Sequence, residues 1–460
     1  MATLNVKNPS TETTLRMFEI ISALSLALDL TEGQPMGHSV NSCVLGMRLA
    51  AELKLSKKDC ADLYFALMLK DTGCSSNAAR MFEVFGGDEI KAKREVKTQD
   101  WSRVTPEGLG YLMRNVLPGK PAHERLMAIA QVALNRDKQA REFTEIRCER
   151  GAQIAKRLGF SERTAEAIQY LDEHWNGKGY PKGLRGEEIP VLSRIMNLVQ
   201  TLEVFAMLNG PADAFQVARE RSGTWFDPEM VRAAAVLEED QGLWPTLHNG
   251  SARDRVIEMQ PEGDVRIADD AAIDNICEAF AGVIDAKSPY THEHSQRVTK
   301  IAVAIGDRLG LGPKDLVILR RASLLHDIGK LSVPNSILDK TGALTTNEWE
   351  TMRLHPYYTQ RILEKIQGFQ HLAFIASTHH ERLDGSGYYR NLRSTQLPVG
   401  TRALVVADIF DAMSSTRPYR AAMPVEQVFA IMARDAPRAL DARCFEALKE
   451  VGPELVDNAE

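Results

Sequence analysis

The feature that most constrains this chain is a match between its own two halves. Gly37-His38-Ser39 pairs with Glu293-His294-Ser295, and each is followed by an apolar helical stripe ending near Leu-x-Leu. Leu69-Lys70-Asp71-Thr72-Gly73 pairs with Leu325-His326-Asp327-Ile328-Gly329, and the separation of His38 from Asp71 equals that of His294 from Asp327. Farther on, Asn176-Gly177-Lys178-Gly179-Tyr180 matches Asp384-Gly385-Ser386-Gly387-Tyr388, and Arg194 matches Arg402. Self-similarity of this kind implies two copies of one supersecondary unit. The first copy carries an insertion between residues 74 and 170.

The unit is helical. Val298, Ile301, Ala302, Ile305 and Leu309 recur with the spacing of an amphipathic helix, which Gly310-Leu311-Gly312-Pro313 then ends. Similar stripes run through 14–30, 40–54, 122–135, 150–158, 162–174, 316–326, 357–366, 371–381 and 401–413, while period-2 alternation is scarce. The expected fold class is all-α. A chain of 460 residues exceeds one ordinary core, and the helical pattern breaks near 245–268, at Pro245, Asn249-Gly250-Ser251 and Gln260-Pro261-Glu262-Gly263-Asp264. Domains are therefore expected at 1–248 and 269–460.

Hydrophobic residues at 44% and charged residues at 26% describe a globular protein. A net charge of −6 argues against a nucleic-acid duplex as partner, since phosphate backbones favour basic surfaces, but leaves room for a local pocket for a small anion. Six cysteines without a C-x-x-C pair read as reduced, buried thiols in the cytoplasm. The apolar run from Phe18 to Leu30 is interrupted by Glu19 and Asp29, is too short to span a bilayer and lacks a basic segment before it. Neither a membrane anchor nor a signal peptide is expected. The Lys91-to-Lys97 charge run reads as a solvated segment.

The two copies differ in their chemistry. The second supplies His294, His326, Asp327, His355, His379, His380 and Asp408, nitrogen and oxygen ligands suited to divalent transition metals. Asp327 is the natural bridging group, because its two oxygens can serve separate ions. A metal pair would polarise a phosphoryl oxygen and acidify water, the requirements of phosphoester hydrolysis. In the first copy Lys70 replaces His326, Cys74 replaces Lys330, Leu171-Asp172 replace His379-His380, and Gln200 replaces Asp408. An ammonium has no lone pair, so this copy keeps the frame but not the site. His38 and Asp71 read as remnants there, and His123, His174, His292 and His371 as ordinary polar residues.

The stretch from about 270 to 440 resembles the HD-GYP family of HD-superfamily phosphohydrolases. The matching text is Tyr290-Thr291-His292-Glu293-His294-Ser295, Leu324-Leu325-His326-Asp327-Ile328-Gly329-Lys330, Pro334-Asn335-Ser336-Ile337-Leu338-Asp339-Lys340, Leu354-His355-Pro356, His379-His380-Glu381 through Tyr388, Val406-Ala407-Asp408 and Arg417-Pro418-Tyr419-Arg420. The resemblance implies a cyclic-dinucleotide phosphodiesterase with a cluster of two divalent ions, iron or manganese, held by the seven residues above. It implies Lys330 and Asp327 as catalytic residues, and Asp411, Arg417, Arg420 and Tyr388 as substrate contacts. Some relatives place a glutamate where this chain has Tyr290, which favours two metals over three. The Gly-Tyr-Pro signature reads Gly387-Tyr388-Tyr389 here, whereas Gly179-Tyr180-Pro181 is intact in the first copy. The expected reaction is hydrolysis of cyclic di-GMP to linear pGpG. Alternatives are another nucleotide, such as hybrid cyclic GMP-AMP or a mononucleotide, or a nucleotide-sensing module without turnover. The first domain is expected to regulate or to support a homodimer.

Overall fold

The repeat in the sequence reappears as a repeat of polar contacts in the computed structural model, which describes residues 15–99, 105–261 and 266–457. Asp29, at the end of the helix Met17–Thr31, accepts from Ser39 Oγ at 2.7 Å, and Asp285, at the end of Asp270–Asp285, accepts from Ser295 Oγ at 2.7 Å. Each carboxylate thereby satisfies the open N-terminus of the helix that follows, His38–Glu52 or His294–Arg308. Glu173 gathers the backbone N–H groups of Lys182, Gly183 and Leu184, as Glu381 gathers those of Arg390 and Leu392. Arg194 pairs with Asp227 and Arg402 with Asp441, both at 2.8 Å.

The fold is all-α, two tandem HD-type helical modules with short 3₁₀ turns inside each, and with only isolated β-bridges among the described residues. The helix Met17–Thr31 is apolar around nearly its whole circumference because it is covered on all sides. It packs on His38–Glu52 and Lys57–Leu69 of its own module and on Ile328–Ser332 and His355–Leu363 of the other. Backbone bonds of 2.8 Å, Met17 to Arg266 and Ala268 to Leu15, tie its start to the segment that leads into the second module. One hydrophobic core therefore runs through both modules.

The insertion adds Ala78–Phe85, Glu89–Val96, Pro106–Asn115 and Ala122–Leu134, which close over a small core of their own around Phe85, Tyr111 and Val132. Its charge run departs from expectation: Lys93 is buried and the Lys97 Nζ is shielded from solvent. The predicted break contains two short helices, Leu243–His248 and Ala252–Glu258, the second packed on His38–Glu52. Pro245 lies in a first helical turn, where its missing N–H is not needed. Glu262-Gly263-Asp264, residues 1–14 and 458–460 lie outside the described residues. One described helix, Val191–Asn209, has the length and apolarity to cross a membrane, but most of it is buried and it serves as a core helix.

Candidate metal centre

In the second module every ligand candidate but Asp408 sits at a helix end, where a side chain can leave the helix and turn inward. His294 opens His294–Arg308, preceded by Glu293 at φ 55°, a left-handed conformation that a non-glycine residue adopts at a cost of roughly 1 kcal/mol. His326 and Asp327 follow the last turn of Pro313–Leu325. His355 opens His355–Leu363, and His379 and His380 follow Gln370–Ser377. Asp408 lies within Val399–Ser414. Two glycines allow these ends to meet. A Cβ on Gly329 would fall 1.9 Å from the His355 carbonyl oxygen, and one on Gly387 would fall 2.5 Å from the His380 carbonyl oxygen.

Four imidazoles are held in one tautomer. His326, His355 and His379 donate from Nδ1 to the carbonyls of Ser323, Met352 and Ala376 at 2.7, 2.7 and 2.6 Å. His294 Nδ1 donates to Asp411 Oδ2 at 2.7 Å. With Nδ1 engaged, each Nε2 lone pair is free to ligate, and all four converge on Asp327. Asp327 Oδ2 lies 3.5 Å from His294 Nε2 and 3.4 Å from His326 Nε2. Its Oδ1 lies 3.4 Å from His355 Nε2 and 3.5 Å from His379 Nε2. Asp408 Oδ1 completes the first group, 3.5 Å from His294 Nε2 and 3.8 Å from His326 Nε2. His380 joins the second, with ligand atoms of His355, His379 and His380 all within 4.8 Å of one another.

These spacings fit metal ions better than hydrogen bonds. N···O distances of 3.4–3.8 Å exceed good hydrogen-bond lengths. Ligands about 2.0–2.1 Å from a shared ion stand roughly 3–3.4 Å apart, close to what is seen. His294 Nε2, His326 Nε2 and Asp327 Oδ1 are buried with no hydrogen-bond partner, an expense that buried polar atoms in native structures rarely bear without a ligand. The protonation states of two rings agree, whereas at His294 burial is outweighed by the carboxylates of Asp327, Asp408 and Asp411, which hold the ring well above its ordinary value until a cation replaces its proton. Burial pushes His355 down to about 3 and holds His380 well below its ordinary value, so both rings are neutral. Burial alone would raise the carboxyls of Asp327 and Asp408, yet surrounding imidazoles, and Lys330 beside Asp327, hold both well below the usual range.

The remaining predicted residues surround this cluster. Lys330 Nζ reaches Asp327 Oδ2 at 2.5 Å and stays partly exposed. Tyr388 stacks on His380 with centroids 4.7 Å apart. Asp411 faces inward, binding His294 and accepting a two-pronged contact from Arg297 at 2.6 and 3.2 Å. Arg297 was not singled out from the sequence. Arg417 donates to the Tyr290 carbonyl at 3.4 Å and stands 3.9 Å from Asp411. The Arg420 guanidinium caps the end of Val399–Ser414, donating to the carbonyls of Ala412, Met413 and Ala421 at 2.7–3.0 Å.

The first module shows the same frame with a cation in the middle. The buried Lys70 ammonium pairs with Asp71 and lies 3.0 Å from His38 Nε2, while His38 Nδ1 bonds Glu203. Burial pushes His38 down to about 4. A fixed ammonium here supplies the positive charge that the other copy leaves to metal ions, so this is a degenerate metal site.

An all-α module with clustered His-Asp ligands defines a metal-dependent phosphohydrolase, and the chain belongs to the HD superfamily of these enzymes, in its HD-GYP branch; the HD domain family matches residues 124–230 and 278–444. The 3'3'-cGAMP-specific phosphodiesterase 3 of Vibrio cholerae is 42% identical over 95% of both chains. A crystal structure of a cyclic GMP-AMP-specific phosphodiesterase from that organism superposes with a TM-score of 0.68 at 38% identity, covering 96% of this chain and 99% of its own. The cyclic di-GMP phosphodiesterase of Thermotoga maritima is 37% identical over 36% of this chain and 46% of its own length.

Proposed function

We propose that this protein is a metal-dependent cyclic-dinucleotide phosphodiesterase whose preferred substrate is 3'3'-cyclic GMP-AMP, opened at one phosphodiester to a linear dinucleotide. This replaces cyclic di-GMP as the leading substrate. The observation that carries it is coverage: a cGAMP-specific enzyme matches across 95% of both chains, whereas a cyclic di-GMP enzyme matches over 36% of this one. The match to the cGAMP-specific protein thus runs across both modules of this chain.

His294, His326, Asp408 and Asp327 Oδ2 would hold one divalent ion, and His355, His379, His380 and Asp327 Oδ1 the other, iron or manganese by ligand type. When bound, such a pair polarises phosphoryl oxygens and acidifies water. Lys330 offers an ammonium to a phosphate held at the cluster. The Tyr388 ring stacks on His380, and Arg417, with a side chain mostly buried beside Asp411, would meet a second phosphate of the substrate. Asp411 orients His294, with Arg297 locking the carboxylate in turn. The first module, 1–248, is assigned a regulatory role.

Substrate preference is tested with anaerobically purified protein loaded with manganese or ferrous iron and offered 3'3'-cyclic GMP-AMP, cyclic di-GMP and cyclic di-AMP. The hybrid is expected to lead in kcat/KM by about tenfold or more, or about 1.4 kcal/mol of transition-state discrimination. A preference for cyclic di-GMP would return the assignment to that substrate. The orienting role of Asp411 predicts that Asp411→Asn lowers metal affinity by about 10–100-fold, measured by competition with a metal-sensitive dye, with the helical spectrum unchanged. Unaltered affinity would reduce Asp411 to a packing role.

A further inference from the structure

A cavity of about 260 Å³ opens in the first module, away from the histidine cluster. Its floor is the degenerate counterpart of the catalytic cleft: Asp172, Tyr180 and Gln200 stand where the other copy has His380, Tyr388 and Asp408. Its roof is the insertion, which the catalytic copy lacks. The cavity is sharply divided in character. Met81, Phe85, Leu112, Val132 and Phe143, packed in one cluster, supply an apolar wall, while Lys93, Lys97 and Arg147 meet around Glu32 in a polar part.

The polar part carries surplus positive charge. Lys93, Lys97 and Arg147 all lean on one carboxylate, Glu32, at 3.4, 3.1 and 3.8 Å, and Asp172 adds only a second negative charge through Arg147. Three cations therefore face two carboxylates, since Lys70 and Asp71 neutralise each other. Two donors on the lining have no hydrogen-bond acceptor: Lys97 Nζ, ion-paired but outside hydrogen-bond geometry, and Trp225 Nε1. Buried donors without acceptors beside excess positive charge call for an anion.

The rest of the ligand is constrained by what the aromatic rings have left. His174 stacks on Trp225 at 4.1 Å and the Arg221 guanidinium lies 4.3 Å from the same ring centroid. Two groups that close to one centroid occupy opposite faces, so Trp225 has no face open to a nucleobase. The body that fits is apolar and aliphatic.

We propose that this cavity binds a small amphipathic anion, with a carboxylate or phosphate head at Lys93, Lys97 and Arg147 and an alkyl body against the insertion wall. Lys93 and Val96 lie on the helix Glu89–Val96, and Glu89, at its other end, contacts Lys287 and Asn335 of the catalytic module. A ligand at one end of this two-turn helix is thus about 10 Å from a catalytic-module contact at the other.

The test uses full-length protein and isothermal titration with decanoate, decyl phosphate and decan-1-ol, each below its micellar concentration. Saturable one-to-one binding is expected for the anions and not for the alcohol. Tighter binding of decanoate identifies a carboxylate ligand, and tighter binding of decyl phosphate a phosphomonoester. Lys97→Met should weaken the anion at least tenfold, and Ala140→Trp, which fills the cavity from its lining, should abolish binding while the thermal transition remains cooperative. Should that variant fail to fold, Val132→Phe fills the same space. Absence of saturable binding by either anion, equal binding of the alcohol, or binding undiminished by a folded cavity-filling variant would overturn the proposal.

Discussion

Replacing Asp327 by alanine is expected to strip both metal ions and to lower hydrolysis by at least about 10³-fold, with the helical fold retained. The prediction follows from the way its two oxygens divide the site. Oδ2 faces His294 and His326 at 3.5 and 3.4 Å, and Oδ1 faces His355 and His379 at 3.4 and 3.5 Å. The other carboxylate, Asp408, comes within 4 Å of His294 and His326 only, and its approach to the second group is the looser one to His379, within 4.8 Å. Removing Asp327 should therefore take metal stoichiometry from two toward zero, whereas His355→Ala should take it toward one, because only the second group loses a ligand. Metal analysis of the anaerobically purified variants, paired with product chromatography, separates these outcomes. The size of the rate effect reflects water acidity: bulk water ionises with a pKa near 15.7 and metal-held water near 7, so losing even part of that difference exceeds about 10³-fold. Full hydrolysis by a metal-free Asp327→Ala protein would remove the basis of the proposed mechanism.

The ligand candidates were legible in the sequence because each sits next to an apolar run, all but Asp408 at a helix end, a local pattern, and because the self-match displays the same frame with Lys70 in place of His326. What surrounds them is set by pairings across long separations. Arg297 reaches Asp411, and Asp411 reaches His294, from more than one hundred residues away, with no local signal for either. The comparison of copies holds a hint all the same: Glu203 occupies the place of Asp411 and bonds His38 as Asp411 bonds His294. An acid kept in both copies, with and without a metal cluster, belongs to the frame that orients the histidine. Arg420, a substrate contact by its motif, donates from both terminal nitrogens to the carbonyls of a helix end that only tertiary structure brings beneath it. The charge run of the insertion misled for a related reason. Propensity places lysines in solvent, and the carboxylate that draws Lys93 and Lys97 inward is Glu32, far back along the chain.

The second large effect is expected at Glu89, which joins the insertion to the catalytic module. Its side chain is fully buried, lies 3.4 Å from the Lys287 ammonium through Oε1 and accepts the Asn335 N–H at 2.9 Å through Oε2. Lys287 is itself buried, and burial draws its ammonium below the ordinary lysine value, with Glu89 the main counterweight. Glu89→Ala should destabilise the protein by about 3–5 kcal/mol, the usual consequence of leaving one partner of a buried pair behind. Deprotonating a lysine with an unfolded value of 10.5 sets a matching limit of about 4 kcal/mol at pH 7.5. The sign with pH follows. In the variant the unfolded chain binds the Lys287 proton more tightly than the folded one, so stability rises with pH up to about 10.5, and the deficit should shrink to under about 2 kcal/mol near pH 9.5. Urea unfolding of both proteins at the two pH values measures this. Glu89→Gln combined with Lys287→Met keeps an acceptor for Asn335 and removes the stranded charge, so it should recover most of the loss. A deficit that is constant with pH and not recovered in the double variant would assign Glu89 to packing rather than to an ion pair that fastens the two modules.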